Sequence, residues 1–341
     1  MGARARRRPG SKQLLHRQRE RPADARPRGR SPYRQPRSPI TLDCCAQALE
    51  GPHVVSTEST RIDRPFAGVV ERIVREALAE DLGRGDVTTA ACIPSGSIRE
   101  GRVVARHELV VAGLVVARET FRQVDPDVEL RLPAEDGQRV ERGAVVLVAR
   151  GSAASILMSE RVALNFLQRM SGIATLARRY VSAIPAGSRT RITDTRKTTP
   201  GLRPFERYAV RCGGAHNHRE DLGAGILIKD NHIVAAGGIS AAIAACRARA
   251  PHSLRIEVEV QREAEIDEAL AAGADVIMLD NFDDERLRAS VERIGGRALV
   301  EVSGGVTLER IPRIAAAGAD LVSVGALTHS APAADLALDL V

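Results

Sequence analysis

RIEVEVQREAEIDEALAAGADVIMLD, residues 255–280, is the stretch on which the fold turns. A β-branched run (256–260) gives way to an alanine-rich helical segment, and AAGAD (271–275) leads directly into a second run, VIMLD (276–280). A strand, a helix and a second strand in this order are a βα unit feeding a parallel sheet. Further runs of the same kind are RITDT (191–195), GILIKD (225–230), ALVEVSG (298–304) and DLVSVG (320–325). AAGAD recurs at 316–320, 45 residues or two βα units after its first occurrence. Repetition at that period favours a closed or nearly closed α/β barrel over an open doubly wound sheet. Six clear strands instead of eight predict an incomplete barrel of six or seven strands.

Upstream the pattern is different. Val69, Val70, Ile73, Val74, Ala77, Leu78 and Leu82 recur at helical spacing, with Gly83 where a helix stop is expected. Strand-like runs follow at 102–105, 109–111, 128–132 and 145–148, with a helix around 118–124, which predicts a small α+β layer. The stretch AEDGQRVERGAVVLVARG (134–151) has the look of a biotinyl or lipoyl carrier hairpin but contains no lysine to acylate, so it is read as a structural hairpin. A long helix over about 155–184, interrupted near Gly172, carries Ser159, Glu160, Arg161 and Asn165 into the second half.

At 341 residues, with 44% apolar and 27% charged residues, the chain has room for about two domains, and no stretch approaches the uncharged apolar length of a membrane span. Cys44, Cys45, Cys92, Cys212 and Cys246 form neither a CxxC pair nor a Cys/His cluster, which points away from zinc and disulfides and towards a reducing cytoplasm, with the last three expected as buried thiols. The net charge of +7 is unevenly placed: residues 1–39 carry +11 and six of the seventeen prolines, and the other 302 residues carry −4. Residues 1–64 therefore read as a disordered basic leader, either an electrostatic arm for polyanions or a dispensable extension. Only five Phe, three Tyr and no Trp leave little for base stacking, so a nucleic-acid partner is not expected. Arginine has almost displaced lysine, leaving Lys12, Lys197 and Lys229, and Asn survives only at 165, 217, 231 and 281. A lysine retained under that bias marks a place where a compact charge is needed that a planar guanidinium does not supply.

Almost every strand of the second half runs into polar residues at its carboxyl end, where parallel α/β barrels build their active sites. Arg196, Lys197, His218, Arg219 and Lys229, with Arg203 and Arg207 nearby, concentrate positive charge on a part of the chain that is not basic overall, which implies an anionic substrate. Glu259 and Asp280 end neighbouring strands and could share one Mg²⁺, or act directly as a general-acid pair. Glu257, two residues earlier on the same strand face, reads equally as a barrel-interior carboxylate. Ser303-Gly304-Gly305 and Gly325 follow the last two strands, the usual place for a phosphate cradle. A carboxylate clamp, a magnesium pair and a phosphate loop describe an enzyme that joins an acidic small molecule to a phosphorylated sugar, by positioning and electrostatic support more than by a covalent nucleophile.

The motifs EDLGRGDVTT, SERVALNFLQRMSGIAT, DTRKTTPGLRPFERYAV, HNHREDL, LIKDNH, IEVEV, MLDNF, EVSGGV and VGALTHS occur in this order. The chain resembles the quinolinate phosphoribosyltransferase family over about residues 66–341, most specifically through DTRKTTPG and LIKDNH. The resemblance implies a type II phosphoribosyltransferase: an N-terminal α/β sandwich domain (65–172), an open, incomplete α/β barrel carrying catalysis (173–330), and a C-terminal helix (331–341) packing back on the N-terminal domain. It implies a head-to-tail homodimer and the conversion of quinolinate and phosphoribosyl pyrophosphate to nicotinate mononucleotide, CO₂ and pyrophosphate in NAD biosynthesis. Arg196, His218, Arg219 and Lys229 would hold the quinolinate carboxylates, with Arg161 entering from the neighbouring subunit. Lys197, Lys229, Glu259 and Asp280 would be catalytic, the two acids holding Mg²⁺, while Lys197, Asp230, His232, Ser303, Gly304, Gly305 and Gly325 would take the phosphoribosyl group and its phosphate. The family's GGG before NHR stands here as CGGAHNHR, with Cys212 and His216 in the glycine-rich turn. The nearest rival is the molybdenum-transport-associated pyrophosphorylase-like paralogue, whose acceptor is different; the retained DTRKT and NHR cations favour quinolinate.

Overall fold

The computed structural model describes residues 62–341. The leader expected at the N-terminus, including Cys44 and Cys45, lies outside the described residues but for its last three positions. The first helix, α1 (Ala67–Leu82), buries Val70, Ile73, Val74 and Leu78 along one stripe and stops at Gly83, whose φ of 46° suits a residue without a Cβ. A short α2 (Val87–Cys92) follows, its first turn capped by the Asp86 carboxylate accepting from Thr89 N–H. Then come β1 (Ile98–Ala105), β2 (Leu109–Val110), α3 (Leu114–Val124), β3 (Glu129–Arg131), β4 (Arg139–Val140) and β5 (Val145–Ser152). Strands β1, β5 and β3 pair antiparallel, and β2 pairs with β4. Val103, Leu147, Phe121 and Leu114 fill the core between this sheet and α3.

Helix α4 (Ala153–Ser182) is continuous through Gly172, where the sequence suggests an interruption. Gly172 has a packing reason instead: a Cβ there would overlap the carbonyl oxygen of Pro332, whose segment crosses the helix at that point. The helix serves two cores. Ile156, Ala163, Leu164 and Leu167 pack with the antiparallel sheet, while Phe166, Met170, Ile173 and Ala177 pack with the barrel helices. Each buried Leu, Ile, Met or Phe among them contributes roughly 1.5–3 kcal/mol, and sharing them along one helix joins the two layers.

The second half alternates strand and helix: β6 (Arg191–Thr193), α5 (Arg203–Cys212), β7 (Ile226–Ile228), α6 (Asp230–Ala236), α7 (Ile239–Arg249), β8 (Ile256–Val260), α8 (Glu263–Ala271), β9 (Val276–Asp280), α9 (Asp284–Ile294), β10 (Leu299–Ser303), α10 (Ile311–Ala316), β11 (Leu321–Ser323) and α11 (Ala326–His329). The sheet order is β6-β11-β10-β9-β8-β7, all parallel, so consecutive strands β6 and β7 sit at opposite edges and the barrel is open between them. His216 adds one parallel rung beside Thr193 of β6, a stub of a seventh strand. The six runs read from the sequence are these six strands.

Two expectations are corrected. The segment expected as a C-terminal helix is a strand, β12 (Leu336–Leu340), which does return to the N-terminal sheet but pairs antiparallel with the edge of β1. Leu336, Leu338 and Leu340 alternate at the strand period, and pairing satisfies the open backbone edge of β1. Among the thiols, Cys212 is buried and Cys246 half-buried as expected of core residues, but Cys92 ends α2 in an exposed position. Among the described residues, no helix is long and apolar enough to cross a membrane.

Candidate active site

The carboxyl ends of the six parallel strands open into a cavity of about 680 Å³. The structure brings ten residues picked out in the sequence to its lining: Arg196, Lys197, His218, Arg219, Lys229, Glu259, Asp280, Ser303, Gly304 and Gly305. Thr195, Leu227, Met278, Asn281 and Ser323 complete it.

The cationic wall is built on an anion. Asp194, fully buried at the end of β6, accepts His218 N–H at 2.7 Å and Asn217 Nδ2 at 2.6 Å, and faces Arg207 at 3.4 Å. Burial pushes the Asp194 carboxyl up from its ordinary range, and the Arg207 guanidinium and these donors oppose that shift. Arg207 donates onward to the carbonyls of His218 (2.8 Å) and Arg219 (3.3 Å). Arg203 donates to Thr198 Oγ1 and to the Glu220 carbonyl. Neither arginine lines the cavity; both clamp the loops that do. A second buried anion, Glu206 of α5, takes Arg169 of α4 at 2.8 Å and both Thr199 N–H and Oγ1–H, fixing the TTPG turn after Lys197.

Arg196 and Arg219 are left facing the cavity. Arg196 Nε is buried with no hydrogen-bond partner, an open donor in a site that exposes few acids to it. Burial, and then the Arg196 charge, make a proton on Arg219 less favourable than on a free arginine. Two guanidiniums that disfavour one another are relieved by an anion between them. Lys229, at the end of β7, pairs with Glu259 at the end of β8. Across the mouth, Asp280 accepts from Asn281 Nδ2 at 2.8 Å, and Gly304 and Gly305 turn the loop after β10 at φ of 79° and 57°. The Lys197 stem passes the carboxyl end of β11: a Cβ on Gly325 would meet Lys197 Cδ and the His329 ring at 3.1 Å each.

His218 lines the cavity, where it is expected, and is also engaged beneath it. Its Nε2 lies 3.2 Å from Glu257 and 3.4 Å from Glu301, below the cavity, and its Nδ1 accepts Arg219 N–H at 2.8 Å. Burial works against a charge on the ring, but the two carboxylates outweigh it and pull the pKa up to about 10. The Arg219 N–H opposes a second ring proton, so the proton on which both influences agree is the one on Nε2. Burial pushes Glu257 up to about 7, partly offset by His218. His218, Glu257 and Glu301 converge closely enough to suggest a metal cluster, which the sequence did not suggest. For Nε2, the nitrogen that faces the two carboxylates, to ligate a metal, Nδ1 would have to carry the ring proton, whereas here Nδ1 accepts Arg219 N–H. The trio is a buried proton-sharing strut with Ser323 donating to Glu301.

Other expected residues are placed elsewhere. Asp230 and His232 follow Lys229 but sit exposed in the first turn of α6, where His232 Nδ1 accepts Lys229 N–H at 3.0 Å and Asp230 Oδ1 accepts Asn231 N–H. Neither lines the cavity. Gly325 is beside Lys197 and not in the lining, and Arg161 is exposed on α4, outside the cavity of its own chain. Glu257 faces the far end of the barrel, where a second cavity of about 690 Å³ opens among Arg191, His216, Arg255 and Leu254. His329 beside Gly325 escaped the sequence reading, and Asn281, the single described non-glycine residue with positive φ (59°), was singled out there as a surviving asparagine without being given a role. The survival of Asn281 in an asparagine-poor chain was the available signal.

Glu259 and Asp280 offer hard carboxylate oxygens beside the hydroxyl of Ser303, a donor set that fits Mg²⁺.

Comparison with known proteins agrees over most of the described chain. Residues 86–171 match the N-terminal and 173–339 the C-terminal domain model of quinolinate phosphoribosyl transferase. A probable nicotinate-nucleotide pyrophosphorylase [carboxylating] of Bacillus subtilis is 41% identical over 271 residues, covering 80% of this chain and 93% of the relative. The Mycobacterium leprae nicotinate-nucleotide pyrophosphorylase [carboxylating] is 43% identical over 275 residues, 78% of this chain and 95% of the relative. The crystal structure of NadC from Streptococcus pyogenes superposes with a TM-score of 0.78 at 41% identity, covering 82% of this chain and 99% of that one.

Proposed function

This chain belongs to the quinolinate phosphoribosyltransferase family, and from that membership and the geometry of the barrel mouth we infer that it is a nicotinate-nucleotide pyrophosphorylase (carboxylating). It converts quinolinate and phosphoribosyl pyrophosphate to nicotinate mononucleotide, CO₂ and pyrophosphate in NAD biosynthesis. The observation that carries the reading is the meeting, in one cavity, of Arg196, Arg219 and Lys229 with Glu259, Asp280 and the Ser303–Gly305 loop opposite.

Arg196, Arg219 and Lys229 hold the two carboxylates of quinolinate, each charge-assisted hydrogen bond contributing about 1.5–3 kcal/mol where water is excluded. That grip aims the ring nitrogen across the mouth at the anomeric carbon of the sugar. His218 acts one layer below: it holds the Arg219 backbone and props the cationic wall on Glu257 and Glu301. Lys197 and the Ser303–Gly305 loop, with Gly325 and His329 alongside, take the 5′-phosphate. Glu259 and Asp280 lie where positive charge develops on the ribose as the pyrophosphate departs. Mg²⁺, held by these two carboxylates, would bind donor oxygens and stabilise the leaving pyrophosphate. Once the ring nitrogen carries the ribosyl group, its positive charge stabilises the carbanion left at the adjacent carbon when CO₂ departs, and that carbon is then protonated.

The exposed Arg161 on α4 suits a site completed by a neighbouring protomer, as in a head-to-tail homodimer. Free Cys92, Cys212 and Cys246 suit the reducing cytoplasm. The test is quinolinate-dependent release of CO₂ in the presence of phosphoribosyl pyrophosphate and Mg²⁺, with nicotinate as control acceptor. Quinolinate turns over and nicotinate, lacking the second carboxylate, does not. Equal turnover of both, or of neither, overturns the reading and returns the paralogue with a different acceptor.

A further inference from the structure

Asn281 is held in a conformation that its neighbours make necessary. Its φ of 59° lies in the left-handed region, which Asn tolerates better than most residues but occupies at a cost. Its N–H donates to Ser303 O at 2.9 Å, tying the end of β9 to the end of β10. Its side-chain Nδ2 donates to Asp280 Oδ2 at 2.8 Å. Gly304, the central residue of the glycine loop, lies against the Asn281 amide so closely that a Cβ there would overlap the amide oxygen and come within 2.9 Å of Asn281 N. One side chain therefore touches both the carboxylate at the sugar end of the cavity and the loop at its phosphate end. A strained residue that spans two parts of a binding site is grounds for a functional hypothesis.

We propose that Asn281 is a positioning residue for the phosphoribosyl donor: its amide fixes the Asp280 carboxylate at a set distance from the Ser303–Gly305 loop, so that the ribose and the 5′-phosphate are received together. This rests on the function proposed above. Asp280 with one oxygen held by the amide presents the other to the cavity, and no further hydrogen bond to its side chain is made among the described residues. Without the amide, the carboxylate turns freely about its last torsion and the glycine loop loses the surface it packs on.

The test uses the full chain with Mg²⁺ and measures phosphoribosyl pyrophosphate and quinolinate binding separately by calorimetry, with turnover recorded alongside. Asn281→Gly keeps the left-handed backbone and removes the amide; Asn281→Asp keeps the shape, so it preserves the fold, and sets a second carboxylate against Asp280. Both are expected to weaken donor binding by about tenfold while quinolinate binding stays within about twofold. In an Asp280→Asn background, Asn281→Gly is expected to cost less than it does in wild type, because the part of its effect that runs through the Asp280 carboxylate is already lost. Wild-type donor affinity in Asn281→Gly would show that only the turn matters and overturns the proposal. Matching losses for quinolinate, or full additivity with Asp280→Asn, overturn it too. Failure of the wild-type chain to turn over quinolinate counts against the proposed function, whereas the donor affinities of the variants judge Asn281 independently of turnover.

Discussion

The two ends of the barrel enclose almost the same space, about 680 Å³ at the carboxyl end and 690 Å³ at the other, and they share His218 and Arg219 in the layer between them. Size does not distinguish them; the state of their polar groups does. At the carboxyl end Arg196 has an open Nε, Asp280 an open oxygen, and the Gly304–Gly305 turn an open backbone. At the other end the inward carboxylates are already engaged: Glu301 by Ser323 and His218, Glu257 by His218, with only Glu257 Oε1 lacking a partner. Inward carboxylates that are mostly engaged with one another make a scaffold, and groups that are held apart are prepared for a ligand.

The largest effect expected from that contrast is at the mouth. Arg196→Ala and Lys229→Ala should each lower quinolinate turnover on the order of a thousandfold, about 4 kcal/mol of transition-state stabilisation, with thermal unfolding little changed. Steady-state assays and melting curves on the same preparations read both quantities. Turnover near the wild-type rate in either variant would mean that the acid is gripped elsewhere.

Asp194 sharpens the comparison because it belongs to neither cavity and shapes one of them. Removing a buried partner of Arg207 and acceptor of two loop donors should cost about 3 kcal/mol in Asp194→Ala, and the loosened 217–219 loop should raise KM for quinolinate more than KM for the donor. Urea unfolding and initial rates measure the two parts. An equal rise in both KM values would argue that the loop does not define the acid pocket.

Much of this plan was legible in the sequence, and the gaps have physical causes. Six barrel strands and their polar carboxyl ends could be read because parallel strands buried on both faces are written as short β-branched runs, and their loops come next in the chain. Strand β12 was misread because the alternation in LALDL lasts only five residues, and its partner β1 lies more than half the chain away. Asp230 and His232 adjoin Lys229 in the sequence, but α6 begins there, and its first turn hydrogen-bonds both of them locally, outside the cavity lining, which spacing alone does not show. The His218 ring is set by Glu257 and Glu301 from other strands and by a backbone N–H, none of which leaves a mark in HNHRED. Roles that depend on contacts between strands are decided by the fold, not by spacing.

A smaller effect separates the strut from the site above it. The folded-state pKa of His218 is raised from an ordinary 6.5 to about 10, so the stability it contributes is fully present below pH 6.5 and is lost as pH rises through about 10. The stability difference between wild type and His218→Asn should therefore shrink between about pH 8 and 10.5 in urea titrations, above the range in which Glu257 titrates. A difference that grows over that range would mean that the imidazole carries no extra proton affinity from Glu257 and Glu301.

The smallest effect is expected at the far cavity, and it is the one that could dissolve the contrast altogether. Arg191 and Arg255 line that cavity and are exposed, so their charges are screened by water and are remote from the mouth at the other ends of the strands. Arg191→Ala and Arg255→Ala should leave turnover within about twofold of wild type, as surface substitutions away from special features usually do. Arg191→Ala should still leave a local trace. The His216 pKa is held below its ordinary value by burial first and by the Arg191 charge second, so removing that charge lets it rise part of the way, visible as a shifted imidazole titration by NMR. A moved His216 titration with unmoved turnover shows that the substitution reached its target and that the two ends act separately. A large loss of turnover would make the second cavity part of the catalytic machinery, because the shared His218 and Arg219 would then be transmitting what happens beneath them to the quinolinate above.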